Sequence, residues 1–115
     1  MITHLTDLQS ASTEHARGGN GAMIGYELAD AAQLKGKAKM FKLLELEPGS
    51  SIGPHSHIDD FEIYFILDGE GFVDEGNGPV SVSCGDTIYT ADGQTHSIAC
   101  AGSETLRFIA CVIAA

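Results

Sequence analysis

Short apolar runs, each ended by a turn signal, fill the chain from Lys39 to its C-terminus. The runs have strand length and strand-like composition, and glycine, proline, aspartate or asparagine marks most corners between them. The predicted strands cover residues 39–46, 51–57, 61–67, 72–75, 80–83, 87–90, 95–100 and 105–113. Short strands at even spacing predict an all-β domain, an antiparallel sandwich or barrel, and not a series of βαβ units.

The first 38 residues carry a weaker pattern. One strand is predicted over 23–28, and 29–34 can form a single helical turn. The glycine-rich stretch 16–22 is typical of a loop. We therefore divide the chain into an N-terminal arm with one predicted strand, residues 1–38, and a β-barrel, residues 39–115.

Two of the predicted strands, 61–67 and 105–113, are apolar on both faces. In the first, alternation places Glu62 and Tyr64 on one face and Phe65 on the other. One layer of sheet would leave an apolar face in water, so the N-terminal segment, a second sheet or a second copy must cover it. We expect a homodimer that uses part of this surface.

Composition limits the partners and the location. With 115 residues, 43% of them apolar, the chain has the size and the core of one domain. Its net charge of −10 opposes binding to nucleic acid or to an anionic membrane. The sequence has no apolar run of membrane-spanning length and no signal-peptide pattern, so we expect a cytoplasmic protein.

Cysteine and arginine content narrow the chemistry further. Cys84, Cys100 and Cys111 are odd in number, which fits reduced thiols that serve as small half-buried hydrophobes. A ligand or redox role is the alternative. Arg17 and Arg107 are the two arginines, and so few disfavour a multiply phosphorylated ligand.

The candidate chemistry lies in the segment GPHSHIDDFE, residues 53–62. His55 and His57 are two residues apart on a predicted strand and share a face, so their imidazoles can converge on one metal ion. Glu62 opens the next strand and can face the same space if 58–61 turns the chain back. An H-x-H pair alone is a weak signal, and His4 and His15 are interpreted as surface or hydrogen-bonded histidines.

A larger pattern surrounds this segment. Residues 49–69 resemble the first signature motif of the cupin superfamily at every position, through Gly49, His55, His57, Glu62 and Gly69. Residues 85–100 resemble the second cupin motif, through Gly85, Gly93 and His96. Two positions depart from that motif: Ala91 stands where proline is usual, and Cys100 where asparagine is usual. The 15 residues between the motifs match the short spacing of small bacterial cupins.

The resemblance covers residues 39–113 and implies a double-stranded β-helix, the cupin jelly-roll barrel, with one motif pair. It implies that His55, His57, Glu62 and His96 bind one divalent transition metal, which is Fe, Mn, Ni, Cu, Co or Zn. Three imidazoles and one carboxylate would leave two octahedral positions for water, O₂ or a ligand.

Two classes of function follow from such a centre. The first is a metal-dependent enzyme that acts on a small, weakly charged molecule in the barrel, by oxygen-dependent cleavage or by isomerase or lyase chemistry. Oxalate-type decarboxylation is disfavoured, because cupins of that kind usually carry two motif pairs. The alternative is a domain that binds or senses a small molecule without catalysis, and an inert structural or storage metal is a third.

Other residues are candidates for the cavity wall. Tyr64 shares a face with Glu62 and is the candidate catalytic residue. Tyr89 can line the lumen, and Tyr26 and Arg17 can cap its mouth if the arm folds over it. The alternative for the tyrosines is a position in the core. Asp59 and Asp60 are interpreted as a solvated loop, with a general base as the alternative. Cys100 is interpreted as a half-buried hydrophobe, with a position in the cavity wall as the alternative.

Overall fold

The structure is a computed structural model that describes residues 1–115. Its fold consists of two antiparallel sheets packed face to face. The strands are β1 Ala11–Glu14, β2 Ala22–Ala29, β3 Ala38–Leu46, β4 Ser51–Ser56, β5 Asp60–Asp68, β6 Glu70–Asp74, β7 Pro79–Ser83, β8 Thr87–Thr90, β9 Thr95–Cys100 and β10 Leu106–Ala114. One sheet has the order β1-β2-β3-β10-β5-β8, and the other has the order β4-β9-β6-β7. One short helix, α1 Ala31–Leu34, and 3₁₀ turns at Leu5–Asp7 and Ala16–Gly18 complete the chain.

The core lies between the two sheets. Strand β10 illustrates how it forms, because its buried residues alternate with half-exposed ones along the strand. The fully buried apolar residues come from both sheets: Leu46, Ile66, Ile98, Leu106, Phe108 and Ala110. The second sheet therefore covers one apolar face of β5 and β10, as the two-faced pattern of these strands requires.

All eight strands predicted after Lys39 are present, with ends that differ by two residues at most. The strand predicted over 23–28 is confirmed as β2, and the single helical turn as α1. Strand β1 was not predicted. It pairs with β2, which pairs with β3, so both extend the six-stranded sheet. The division into an arm, 1–38, and a barrel, 39–115, stays a prediction. The structure has no helix with the length and hydropathy needed to span a membrane.

The outer face of the six-stranded sheet is partly exposed and apolar. Phe65 and Leu67 of β5 are 43% and 37% exposed, and Phe41 of β3 is 36% exposed. Large apolar side chains that share one face in this way are typical of association surfaces. The homodimer stays a prediction, which a measurement of molecular mass in solution tests.

Candidate metal centre

Three imidazoles and one carboxylate converge inside the fold. His55 lies on β4, His57 directly follows it, Glu62 lies on β5 and His96 on β9. One donor atom from each of the four residues lies within 4.8 Å of all the others. Glu62 Oε1 is 3.0 Å from His57 Nε2, 2.9 Å from His96 Nε2 and 3.6 Å from His55 Nε2.

Strand register explains the convergence. His55 and His96 are directly opposite partners in the β4–β9 ladder, although 41 residues separate them along the chain. The register of the ladder shifts between Ile52 and His55, where β4 carries a bulge or irregularity. Bulges are common beside active sites, where they change the direction of a side chain. Glu62 comes from the facing sheet, where it pairs with Thr90 of β8. Each of the two sheets thus supplies part of the centre.

The other ring nitrogen of each histidine is fixed by a partner. His55 Nδ1 donates to the carbonyl of Gly53 at 2.9 Å, and His57 Nδ1 donates to the carboxylate of Asp60 at 2.7 Å. His96 Nδ1 and the hydroxyl of Thr90 are 2.8 Å apart. Because a carbonyl and a carboxylate can only accept, His55 and His57 carry their protons on Nδ1 and direct the lone pairs of Nε2 at the centre.

This arrangement fits a bound cation. His55 Nε2 faces His96 Nε2 at 2.9 Å, and the Glu62 carboxylate lies beside both. Lone pairs and a negative oxygen that face one another in a buried space repel unless a cation or a shared proton lies between them. Three imidazole nitrogens and one carboxylate oxygen are a donor set that first-row divalent metals accept.

Three groups in and around the centre have shifted pKa values. Burial raises the pKa of Glu62, but the adjacent imidazoles of His55 and His96, and the positive charge that His96 and His57 carry when protonated, outweigh it and lower the pKa to about 2. The hydrogen bond from His57 lowers the pKa of Asp60. Burial and then the charge of Glu62 raise the pKa of Tyr64 well above its usual range. At neutral pH both carboxylates are therefore ionised, and the Tyr64 hydroxyl keeps its proton.

A cavity of about 360 Å³ opens directly onto this cluster. Its lining combines three of the four clustered residues with polar and apolar neighbours: Thr13, Ala16, Arg17, Met23, Met40, Leu44, Ile52, His55, His57, Glu62, Tyr64 and Val112. Apart from the clustered residues, the polar side chains on the wall are those of Thr13, Arg17 and Tyr64. A small molecule in this cavity would therefore touch the centre at one end and a largely apolar wall elsewhere.

Of the four other residues considered for the cavity wall, two line the cavity and two do not. Tyr64 lines the cavity and stacks on His96 with ring centroids 5.0 Å apart, and Arg17 lines the cavity as predicted. The prediction for Tyr89 is wrong: it lies opposite Ile63 on the outer face and is 56% exposed. The prediction for Tyr26 is also wrong, because it pairs with Leu43 and does not line the cavity.

Two residues that support the centre were missed or misread. Asp60 is not a solvated loop residue, because it orients His57 and also pairs with Lys39 at 3.1 Å. Thr90 is fully buried against His96 and had no role in the sequence interpretation. The role of Asp60 could have been inferred from its position three residues after His57. Asp59 is exposed, as expected of a loop.

The cysteines stay outside the centre. Cys84 is exposed, whereas Cys100 and Cys111 are half-buried, and all three are free thiols. Cys100 does not line the cavity and is half-buried, as the favoured interpretation of the cysteines predicted, and its thiol lies 3.2 Å from the carbonyl of Glu104.

Comparisons with known proteins agree with this fold. Residues 42–112 match the family described as Cupin domain. An oxalate-binding protein of Thermotoga maritima is 34% identical over 113 residues, which cover 98% of this chain and 93% of that protein. A crystal structure from the same organism, described as a predicted oxalate decarboxylase, has a TM-score of 0.96 and 34% identity over the whole of both chains.

More distant structures share the fold alone. A polyketide cyclase from Streptomyces resistomycificus is 20% identical, with a TM-score of 0.80 over 98% of this chain and 78% of its own. The expected all-β architecture, the double-stranded β-helix, is thus confirmed. By its sequence match and by its similarity to the oxalate-binding protein of Thermotoga maritima, the chain belongs to the cupin family.

Proposed function

We propose that the chain holds one divalent transition metal through His55, His57, Glu62 and His96 and binds a small carboxylate of the oxalate type at that metal. The observation that carries the proposal is the convergence of the four donor atoms at the wall of the cavity. Coordination sites not taken by the protein would face the cavity, where a carboxylate oxygen can bind a divalent cation.

The ligand class rests on the cavity and on a relative. At about 360 Å³ the cavity has room for a small organic acid, and its apolar side strengthens electrostatic attraction by excluding water. The Thermotoga maritima protein with 34% identity is described as oxalate-binding. The sequence led us to expect a weakly charged ligand. We now propose a more negatively charged one, because a cationic residue, Arg17, lies on the cavity wall.

Titration calorimetry with oxalate tests this function. Protein loaded in turn with Fe, Mn, Ni, Cu, Co or Zn is compared with the same protein stripped by a chelator. We expect oxalate to bind the loaded protein at one site per chain with at least one metal, and binding to be lost on stripping. Equal affinity in stripped and loaded protein would show that the metal does not hold the ligand, and no metal uptake would remove the function altogether.

A second candidate function is metal-dependent turnover of the bound ligand, by oxygen-dependent cleavage or by isomerase or lyase chemistry. The observation that favours it is the position of Tyr64, a protonated hydroxyl on the cavity wall beside Glu62. A hydroxyl that keeps its proton at neutral pH can donate it to a reacting oxygen or carbon. A bound metal would supply Lewis-acid character or an activated water or O₂.

Substitution of Tyr64 by Phe separates the two functions. The change removes one hydroxyl and keeps the ring that stacks on His96. If the protein is an enzyme that uses this proton, we expect turnover to fall by about 100-fold or more. Metal content and ligand affinity should change by less than about threefold. Product analysis by NMR measures turnover, elemental analysis measures metal content and titration calorimetry measures affinity. Unchanged turnover would exclude Tyr64 as the proton donor.

Asp60 offers a test of the metal site that leaves its ligands in place. Substitution of Asp60 by Asn weakens the acceptor that holds His57 Nδ1–H, so the imidazole becomes a less basic and less oriented ligand. We expect metal affinity to fall about 10- to 100-fold. The matched control is Asp59→Asn, which makes the same change in charge one residue away at an exposed position. Competition against a fluorescent chelator measures both affinities, and equal affinities would contradict the role of Asp60.

A further inference from the structure

Arg17 occupies a place that the metal centre does not explain. It lines the cavity that opens onto His55, His57 and Glu62, and it is the only lysine or arginine among the 12 lining residues. Arg17 is also exposed to solvent, so its side chain lies where the cavity opens to solvent. The cavity lining thus contains both the candidate metal centre and one arginine.

The guanidinium of Arg17 has no carboxylate within 4.0 Å, unlike the other arginine of the chain. Arg107 pairs with Glu45 at 2.8 Å on the outer face of the sheet. The chain has 16 acidic residues and a net charge of −10, so partners for an arginine are plentiful. A planar guanidinium without such a partner keeps its paired N–H donors available for a carboxylate from outside the protein.

The backbone holds Arg17 at this place in an unusual conformation. Arg17 has a φ of +54°, in the left-handed region that L-residues with long side chains rarely adopt. The loop around it is fixed by hydrogen bonds from Ser51 N to the carbonyl of Asn20 and from Asn20 N to the hydroxyl of Ser51, each 2.9 Å. Gly53 of β4 lies against the carbonyl of Arg17 so closely that a Cβ there would overlap it.

We propose that Arg17 binds the carboxylate of the ligand that lies away from the metal, and that it makes the site select small dicarboxylates over monocarboxylates. The inference rests on the proposed function, because it assumes a first carboxylate at the metal. With a metal and an arginine in the lining of one cavity, a dianion gains two charged contacts, whereas a monoanion gains one and leaves the second cation without a carboxylate partner.

Affinities of the metal-loaded protein for oxalate and malonate, against those for formate and acetate, test the proposal. For Arg17→Gln we expect about 10- to 100-fold weaker binding of the dicarboxylates, since a charge-assisted hydrogen-bonded pair is lost. Binding of the monocarboxylates should change less than about threefold, and metal content should not change. Arg17→Lys, which keeps the charge without the planar fork, should recover part of the preference.

Two controls separate selection from a structural effect. Arg107→Gln removes the same charge on the outer face and should leave the ratio of dicarboxylate to monocarboxylate affinity unchanged. Arg17→Gly relieves the left-handed backbone conformation, so it should keep or raise the melting temperature while losing the preference. Equal ratios in wild type and Arg17→Gln would overturn the proposal, and so would a loss of preference in Arg107→Gln. If the wild type takes up metal but binds no carboxylate, the ligand assignment fails together with the role of Arg17.

Discussion

Substitution of His96 by Ala is expected to empty the metal centre. Three of the four donors would remain, but His96 Nε2 is the atom that lies 2.9 Å from both Glu62 Oε1 and His55 Nε2. Changes to residues that only orient a ligand weaken metal binding about 10- to 100-fold, so loss of a ligand should weaken it by more than about 100-fold. Elemental analysis of protein purified without added metal should give about one metal per chain for the wild type and under about 0.1 for the variant.

A second variant guards against a simple loss of structure. His96 is only 1% exposed and stacks on Tyr64, so its removal also leaves a hole in the core. His55 lies at the edge of the same cluster, and His55→Ala should lose the metal with a smaller loss of stability. The control is His4→Ala, an exposed histidine in the N-terminal stretch, which should keep its metal. Full metal content in both cluster variants would refute the assignment of the ligands.

The strands were predictable where turn residues separate them, and this covers all eight strands after Lys39. Strand β1 was not, because its sequence, Ala11–Glu14, is exposed at every position and has no apolar alternation. It forms because its backbone pairs with β2, a long-range interaction that leaves no local pattern. The six-stranded sheet therefore has one more strand at this edge than the sequence indicated.

The residues of the candidate site also differ in how far the sequence predicted them. The spacing of His55, His57 and Glu62 is local, so alternation and a turn between two consecutive strands predicted that they could meet, although the two strands lie in facing sheets. His96 depends on the β4–β9 register, and only the resemblance to the cupin motifs placed it in the set. The carbonyl of Gly53, which fixes His55, has no side-chain signal at all. The direction of Tyr89 was mispredicted because the strand Thr87–Thr90 has no clearly apolar face.

Substitution of Gly53 by Ala is expected to disturb fold and site together, because three parts of the molecule meet at this residue. Its carbonyl accepts the hydrogen bond of His55 Nδ1, and its Cα lies against the carbonyl of Arg17. The new methyl group would overlap backbone atoms, which cannot rotate away as a side chain can. We expect the free energy of unfolding to fall by about 1–3 kcal/mol, or about 10 °C in melting temperature. Metal affinity and dicarboxylate affinity should fall with it.

The matched control is Gly25→Ala, which adds the same methyl group within β2 of the neighbouring sheet. There the nearest atom to the new Cβ is the end of the Leu44 side chain at 3.3 Å, and a flexible side chain can shift by the small distance required. We expect a change of less than about 1 kcal/mol and unchanged affinities. Thermal unfolding followed by circular dichroism compares the two variants with and without metal. If Gly53→Ala is as stable as Gly25→Ala and keeps its preference for dicarboxylates, the close contact between the Arg17 loop and β4 does not hold the loop in place.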